Sequence, residues 1–256
     1  MSILFVSAFK DIGRGDWFLF NRTTDQYINW FLHVATKIEY PCIVFVEESV
    51  KIKLNQHKLS PHVIILDMNS VSTFYTRFLE KETHIIKSKQ FLEKIPFYRQ
   101  VYPETQSAEY NLVNHSKINY VRHAKQLYPH YDFYSWIDFG MFRDSTMIPK
   151  NLSIKEFPPS KIIFQSVKSP SQRISALDML SSDDIYITGP SYVLPHSLVE
   201  TYESLYEKKL LELHKQSIVD DDQSIVLQLF YDQPQLFHLY QDTTWFKLFK
   251  LLPHST

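Results

Sequence analysis

The chain has 256 residues, of which 27 are basic and 28 acidic, so its formal net charge is −1. This balance argues against a nucleic-acid-binding protein, because such proteins usually carry a basic face. The single cysteine, Cys42, excludes an internal disulfide framework and a cysteine-rich zinc site, and its apolar neighbours predict a buried structural thiol.

Short β-rich runs alternate with longer helical patterns along the chain, which predicts an α/β protein with a mixed, mostly parallel central sheet flanked by helices. Several of the runs are continuously apolar, as expected for strands that are buried on both faces of a sheet. The predicted strands, in chain order, are 3–7, 43–46, 63–66, 133–138, 162–165, 185–188 and 236–240.

Three helices are predicted between these strands. An apolar stripe from Ile118 to Tyr128 forms the first, and a second runs over 198–213 with Ser197 and Glu200 as a capping box. The third is predicted to open at Asp220. The segments 100–111 and 168–182 are predicted to be loops, and the second is long enough to cover a site.

The two ends of the chain bear on its location. The amino terminus lacks the charged region of a secretory signal, and no apolar run approaches the roughly 20 residues of a membrane span. We therefore expect a cytoplasmic protein. Residues 245–252 are aromatic, apolar and basic, so this segment is expected either to pack on the domain or to contact the inner face of a membrane peripherally.

The central strand delivers one carboxylate into a turn. Aromatic and β-branched residues lead up to Asp138, and Gly140 then permits the backbone to bend sharply. In open α/β sheets ligands bind at the carboxyl ends of the strands, which is where Asp138 lies. The alternative is an aspartate that only caps a turn or a helix.

The loop after the first strand is the usual place for a nucleotide, although its sequence is neither a dinucleotide-binding fingerprint nor a P-loop. The small Ala8 would let a base or ribose approach the backbone. Asp11 could accept a hydrogen bond from the ligand, and Arg14 could bind a diphosphate with two N–H groups. The alternative is an ordinary polar loop in which Arg14 pairs with Asp11 or Asp16.

Two further patterns point to chemistry. Three consecutive acids, Asp220 to Asp222, exceed what one helix cap requires, and a carboxylate can hold a sugar hydroxyl or act as a general base on it. Gly189 is predicted to lie in a strand-to-helix turn, where it would allow a substrate to approach the backbone closely. Each pattern has a structural alternative, namely helix capping and a simple turn.

Four short motifs, in order along the chain, carry a family resemblance: residues 7–17, 109–111, 136–140 and 221–223. Together they resemble the HtrL/YibB-like proteins, a family of candidate glycosyltransferases associated with bacterial surface-glycan synthesis. The resemblance covers most of the chain. It implies one GT-A-like domain over residues 1–256, with a nucleotide-sugar-binding half at 1–140 and an acceptor-binding half at 141–256.

The resemblance implies that a sugar passes from a nucleotide-sugar donor, with UDP as the first expectation, to a glycan or lipid-linked saccharide. The donor-binding residues would be Ala8, Phe9, Asp11, Arg14, Lys117, Trp136, Asp138 and Gly140. Gly189 and Gln223 would bind the acceptor, and Asp222 or Asp221 would hold it or act as base.

In similar enzymes an acidic motif after a central strand holds a divalent cation against the diphosphate. Asp138 has that position, but Gly140 stands where the second acid of an Asp-x-Asp motif would be. One carboxylate with diphosphate and waters would hold Mn²⁺ or Mg²⁺ only weakly. In the alternative, Arg14, Lys117 or Arg143 would neutralise the diphosphate without a metal.

Two other function classes stay open at this point. A sugar-phosphate nucleotidyltransferase would share the nucleotide-binding architecture, but it would normally have a phosphate loop rich in glycine and lysine near the first strand. Only Lys10, Gly13, Arg14 and Gly15 approach such a loop here. A catalytically silent glycan-binding protein is the other alternative, because a single acid, Asp138, marks the donor site.

Overall fold

The computed structural model describes residues 1–143, 147–170 and 172–254. Its strands are β1 Ile3–Phe9, β2 Cys42–Val46, β3 Val63–Asp67, β4 Phe133–Ile137, β5 Ile162–Ser166, β6 Ile187–Pro195 and β7 Phe237–Gln241. They form one seven-stranded sheet in the order β3-β2-β1-β4-β6-β5-β7. Strand β6 is antiparallel to both of its neighbours, and the remaining pairs are parallel.

The helices that flank this sheet are α1 Thr24–Ala35, α2 Glu48–Leu54, α3 Phe74–Lys87, α4 Lys89–Leu92, α5 Pro103–Gln106, α6 Ala108–His115, α7 Lys117–Leu127, α8 Ala176–Leu180, α9 Val199–Lys215, α10 Asp222–Asp232 and α11 Leu248–Leu251. The predicted fold class, an α/β protein with a mixed and mostly parallel sheet between helices, is confirmed, while the GT-A-like character stays a prediction. The division of the chain into halves at residue 140 also stays a prediction.

The core has two layers, one on each face of the sheet. Successive residues of β1 alternate between them: Leu4 and Val6 belong to one apolar cluster, and Ile3 and Phe5 to the other. In the central strands each side chain therefore meets a helix layer whichever way it points, which is why these strands are mostly apolar. Cys42 is buried in the second cluster, as predicted, and burial raises the pKa of its thiol to about 12.

All seven predicted strands are present, but the sixth extends much further than predicted. Strand β6 runs through Gly189 and Pro190 to Pro195, so the expected turn at Gly189 is wrong. Pairing with β4 on one side and β5 on the other carries the chain through these two residues. The register of β5 against β6 shifts between Phe164 and Ser166, and such an irregularity tolerates a proline, which has no N–H to donate.

The helix boundaries correct two further predictions. Helix α9 begins at Val199 after a 3₁₀ turn over His196–Leu198, so the predicted capping box of Ser197 and Glu200 does not form. Glu200 instead pairs with Lys125 of α7 at 2.5 Å. Helix α10 begins at Asp222, with Asp221 as its N-cap, rather than opening at Asp220.

The two predicted loops contain helices. Segment 100–111 includes α5 and the first half of α6, because Pro103 occupies the first turn of a helix, where its missing N–H has no cost. Segment 168–182 includes α8, which Ser175 caps, while residue 171 lies outside the described residues. None of the described residues of this segment lines the pocket, so it does not cover the site.

The carboxyl-terminal segment packs on the domain. Leu248, Phe249 and Leu252 are at most 4% exposed and belong to the second apolar cluster, so these side chains are not available to a bilayer. Among the described residues, no helix combines the length and the apolar character that crossing a bilayer requires.

Candidate functional site

A pocket of about 760 Å³ opens where β1 and β4, neighbours in the parallel part of the sheet, reach their carboxyl ends. The residues predicted to bind the donor or the acceptor or to act as base all line this pocket: Ala8, Phe9, Asp11, Arg14, Lys117, Trp136, Asp138, Gly140, Gly189, Asp221, Asp222 and Gln223. Asp220, the first of the three consecutive acids, does not. The roles of the lining residues stay predictions. What the structure contributes is their convergence on one cavity, although they come from β1, β4, β6, α7, α10 and two loops.

Asp138 follows β4 directly and is held from two sides. Its backbone N–H donates to the carbonyl of Pro190 at 2.8 Å. Trp136, two residues earlier and so on the same face of the strand, donates its indole N–H to Asp138 Oδ1 at 2.6 Å. Because Trp136 is only 3% exposed, its main contact with the site is this hydrogen bond, which orients the carboxylate.

Gly140 allows a side chain to approach the backbone closely. A Cβ atom at this position would lie 2.7 Å from Cε1 of Tyr27, a distance that real Cβ contacts essentially never show. Gly140 has no positive φ, so the sharp bend predicted there is not the reason for the glycine. The reason is the ring of Tyr27, a pocket residue of α1.

Lys117 crosses the pocket floor from the first position of α7. Its Nζ lies 2.7 Å from Oδ2 of Asp222, 3.0 Å from Oδ1 of Asp138 and 3.1 Å from the carbonyl oxygen of Gly189. The side chain is only 6% exposed. Burial by itself lowers the pKa of Lys117, but the two carboxylates outweigh it and raise the pKa above its usual range. The ammonium is therefore permanently charged.

The contact between Lys117 and Asp222 also explains why residue 189 is a glycine. A Cβ atom there would lie 2.5 Å from Oδ1 and 2.6 Å from Oδ2 of Asp222. The glycine thus leaves room for the carboxylate to lie against β6 and reach Lys117. Its close neighbour is a side chain of the protein, whereas the sequence predicted a substrate.

The three acids at the start of α10 have different surroundings in the structure. Asp221 caps the helix: its Oδ1 accepts from the backbone N–H of Gln223 at 3.0 Å, and its Oδ2 accepts from the Gln223 amide at 3.2 Å. Burial, with Asp220, Asp222 and Glu104 nearby, raises the pKa of Asp221 well above its usual range. Burial, with Glu104 nearby, also raises that of Asp220 to about 7.

Arg14 contacts neither of the acids that the sequence offered as partners. Its guanidinium donates to the Tyr27 hydroxyl at 2.8 Å and to the carbonyl of Phe20 at 2.9 Å, and its Nε is buried without a hydrogen-bond partner among the described residues. Asp11 instead accepts from Gly13 N and from the Thr24 hydroxyl, which closes its own loop. Arg14 is only 7% exposed, and it has no acidic partner among the described residues.

Two further arginines, Arg22 and Arg143, line the same pocket. Arg143 lies over the rings of Trp30 and Phe246, with centroids at 5.1 and 5.4 Å. Burial and the charge of Arg22 lower the pKa of Arg143, which shows that the two cations are close. Of the described acidic residues, none forms an ion pair with Arg14, Arg22 or Arg143. We call these three the arginine cluster.

Sequence reasoning missed Arg22 and Tyr27. Arg22 lies in an irregular stretch with no strand or motif beside it, so no local signal distinguishes it. Tyr27 lies on α1, whose apolar stripe predicts core packing rather than a site. Arg143 was one of the cations offered for a site without metal, and it does line the pocket.

The site gives a divalent cation few ligands. Among the described residues, no group of three His, Cys, Asp or Glu side chains could hold a metal ion. The facing oxygens of Asp138 and Asp222 both contact the ammonium of Lys117. The predicted Mn²⁺ or Mg²⁺ at Asp138 stays a prediction, and the residues present do not fit it.

Comparison with known proteins identifies the family of this chain. A family model described as "Bacterial protein of unknown function (HtrL_YibB)" matches residues 1–254. Protein HtrL of Escherichia coli (strain K12) is 28% identical over 273 residues, which cover 100% of this chain and 94% of that protein. Among solved structures, 4-diphosphocytidyl-2C-methyl-D-erythritol synthase from Anaerococcus prevotii DSM 20548 matches 98% of this chain and 94% of its own, at 13% identity and a TM-score of 0.45. Because the family model spans residues 1–254, this chain belongs to the HtrL_YibB family, as its motifs predicted.

Proposed function

We propose that this protein is a glycosyltransferase that moves a sugar from a nucleotide-sugar donor to a glycan or lipid-linked saccharide in surface-glycan biosynthesis. The observation that carries the proposal is the composition of the pocket. It combines arginines that have no acidic partner among the described residues, and so suit a diphosphate, with oriented carboxylates, which suit sugar hydroxyls. UDP-sugars are the first donors to test.

The arginine cluster would hold the diphosphate of the donor. Arg14 and Arg143 are stacked on aromatic rings, which restricts their side chains before any ligand arrives. A planar guanidinium binds phosphate oxygens with two N–H groups, and its charge stabilises the negative charge that develops as the diphosphate leaves. The donor's base would then lie towards Ala8 and the loop after β3, where Asn69 and Tyr75 complete the lining.

The carboxylate side of the pocket would receive the acceptor. In the transfer, an acceptor hydroxyl oxygen bonds to C1 of the donor sugar, the bond from C1 to the diphosphate oxygen breaks, and the hydroxyl proton passes to a carboxylate. Asp222 is our candidate for that base, since Asp221 is engaged in capping. Gln223 would orient the acceptor, because its Oε1 is buried and unpaired among the described residues and can accept from a hydroxyl.

The loop after β1 argues against the nucleotidyltransferase alternative. Its lysine, Lys10, is not available to a triphosphate, because its Nζ pairs with Glu47 at 2.8 Å and lies over the Tyr75 ring. The loop glycine Gly13 serves a tight turn at φ 72° and has nothing within 4 Å of a Cβ position.

The test is thermal unfolding in the presence of a panel of nucleoside diphosphates and nucleotide sugars. We expect one nucleoside diphosphate to stabilise the wild type, by about 2.7 kcal/mol at roughly 100 times its dissociation constant. Arg143→Ala and Arg22→Ala should each lose most of this shift. Arg173→Ala is the matched control, because Arg173 pairs with Asp232 on the surface and does not line the pocket.

Release of the nucleoside diphosphate from the stabilising nucleotide sugar would then separate an enzyme from a silent binder. We expect slow hydrolysis without acceptor, which Asp222→Asn abolishes. Binding without any turnover would leave the glycan-binding alternative, and the absence of a response to every nucleotide would refute the proposed function.

A further inference from the structure

We propose that the ammonium of Lys117 occupies the place that a divalent cation would take at the end of β4, and that the site works without a metal. The second part rests on the proposed function, whereas the first concerns the protein alone. Three oxygens converge on Lys117 Nζ, from Asp138, Asp222 and the Gly189 carbonyl, at 3.0, 2.7 and 3.1 Å. Two carboxylates and a carbonyl are a typical ligand set for a hard cation.

We call these three oxygens, from Asp138, Asp222 and Gly189, the cradle of Lys117. A metal ion cannot bind to the cradle while the lysine occupies it. Mn²⁺ or Mg²⁺ would have to lie about 2.1 Å from the same oxygens, which places two cations almost in contact. To admit the metal, Lys117 would have to give up both carboxylates. It would then stay in the protein as a buried charge without a partner, because it is anchored at the start of α7 and only 6% exposed. Leaving a buried charge unpaired costs several kcal/mol.

The oxygens of the cradle are also held by the protein itself. The ammonium of Lys117 donates hydrogen bonds to Asp222 and to the Gly189 carbonyl, and it forms an ion pair with Asp138. Oδ1 of Asp138 additionally accepts the indole N–H of Trp136. Lys117 is therefore a positioning residue that fixes two carboxylates.

The charge that a metal would bring to the diphosphate comes from elsewhere in the pocket. Lys117 neutralises only one of its two carboxylates, so the cradle keeps a net negative charge that would repel a diphosphate. The arginine cluster, whose members have no acidic partner among the described residues, supplies the compensating positive charge. In this arrangement the leaving group is stabilised by guanidinium groups, and the carboxylates are left to sugar hydroxyls.

This geometry makes an unusual prediction for Lys117→Ala. Removing the side chain leaves three oxygens around an empty, negatively charged space, and Asp138 stays open to the pocket with its side chain 30% exposed. A cation with waters in its remaining positions fits such a space. The variant should therefore gain a Mn²⁺ site that the wild type lacks.

The experiment titrates Mn²⁺ alone into the purified protein and follows free Mn²⁺ by electron paramagnetic resonance. We expect no pocket binding by the wild type, and binding at least about tenfold tighter by Lys117→Ala, with one ion per chain. Lys117→Ala combined with Asp222→Asn should lose the gain. Lys125→Ala removes another lysine of α7 that pairs with a carboxylate and a carbonyl outside the pocket, and it should behave as wild type.

Binding of Mn²⁺ by the wild type that Asp138→Asn abolishes would overturn the proposal, and so would a folded Lys117→Ala that gains no site. If Lys117→Ala does not fold, the wild-type titration alone decides. Stabilisation of the wild type by UDP in excess EDTA tests the second part: a loss of that stabilisation on chelation refutes the metal-free donor site. If no nucleotide binds at all, the proposed function fails, while the Mn²⁺ titration still decides the role of Lys117.

Discussion

Gly140 and Gly189 each lie where a Cβ atom would collide with a side chain of the pocket. At Gly140 the collision is with the ring of Tyr27, and at Gly189 it is with the carboxylate of Asp222. Neither residue has the positive φ that usually explains a glycine in a turn, since Gly13 is the glycine with that backbone. The absence of a side chain at these two positions therefore gives Tyr27 and Asp222 the room they occupy in the pocket.

We predict that Gly189→Ala displaces Asp222 and breaks its contact with Lys117, because the new methyl group would lie 2.5 Å from Oδ1. Nucleotide-sugar turnover should fall at least about tenfold, while stability falls by about 1–3 kcal/mol, as for other overpacking substitutions. Steady-state turnover and urea denaturation measure the two effects. Gly15→Ala is the control: its Cβ would meet Thr23 at an ordinary 3.6 Å, so an equal loss of turnover there would contradict the explanation.

Among the elements, the short helix α11 contributes more to the apolar core than its four residues suggest. Its four residues follow the pocket residues Trp245 and Phe246, and Leu248 is fully buried against the second apolar cluster. The composition of this segment suggested a membrane contact as one alternative, but its apolar side chains are used inside the protein.

We therefore expect Leu248→Ala to reduce the free energy of unfolding by about 2–5 kcal/mol, the usual cost of truncating a buried leucine. Chemical denaturation measures this. Leu251→Ala, on the partly exposed side of the same helix, should cost clearly less. Equal small effects at both positions would mean that the helix is not anchored as the structure shows.

The stability of the whole molecule should depend on pH through the acids that open α10. The groups that act on Asp220 are Glu104, Arg99, Ser224 and the adjacent Asp221, whose backbone N–H donates to Asp220 and whose carboxyl also interacts with it. Burial and the Glu104 charge raise the pKa of Asp220 from 3.8 to about 7, so the folded state favours its protonated form. This contribution to stability is present at low pH and is lost as the pH rises from about 4 through 7.

We predict that Asp220→Asn, which keeps an acceptor for the N–H of Asp221, becomes more stable relative to wild type as the pH rises. The relative gain between pH 5 and pH 8 should be on the order of 2 kcal/mol. Urea denaturation at the two pH values gives the difference directly. The exposed Asp25 provides the control variant Asp25→Asn, and a gain of similar size there would refute the assignment to Asp220.

Two buried histidines, His115 and His214, make the stability depend on pH in the opposite direction. Burial lowers the pKa of His115 to about 3 and that of His214 to about 4, so both stay neutral in the folded protein. Their contribution to stability is lost as the pH falls below about 6.5. Subtracting the free energy of unfolding of the wild type from that of Asp220→Asn removes the histidine contribution, because both proteins contain the two histidines.

The sequence by itself determined the positions of the strands, apart from the length of the sixth, and many of the residues that line the pocket. Strands such as β1 and β4 could be predicted because burial on both faces of a sheet demands continuous apolar runs, which are local and visible in the sequence. Asp138 could be singled out for a similar reason, since an acid that ends such a run lies at the ligand-binding edge of an α/β sheet.

Only the tertiary structure decided how those residues meet. Lys117 and Asp222 are 105 positions apart, and their ion pair depends on α7 and α10 packing on the same face of the sheet. The length of β6, and with it the role of Gly189, follows from pairing with strands on both sides, which outweighs the local turn signal of glycine and proline. The arginine cluster exists because Arg14, which donates to Tyr27, lines one pocket with Arg22 and Arg143, which lie close to each other. Such contacts are set by long-range packing, for which a single sequence carries no local signal.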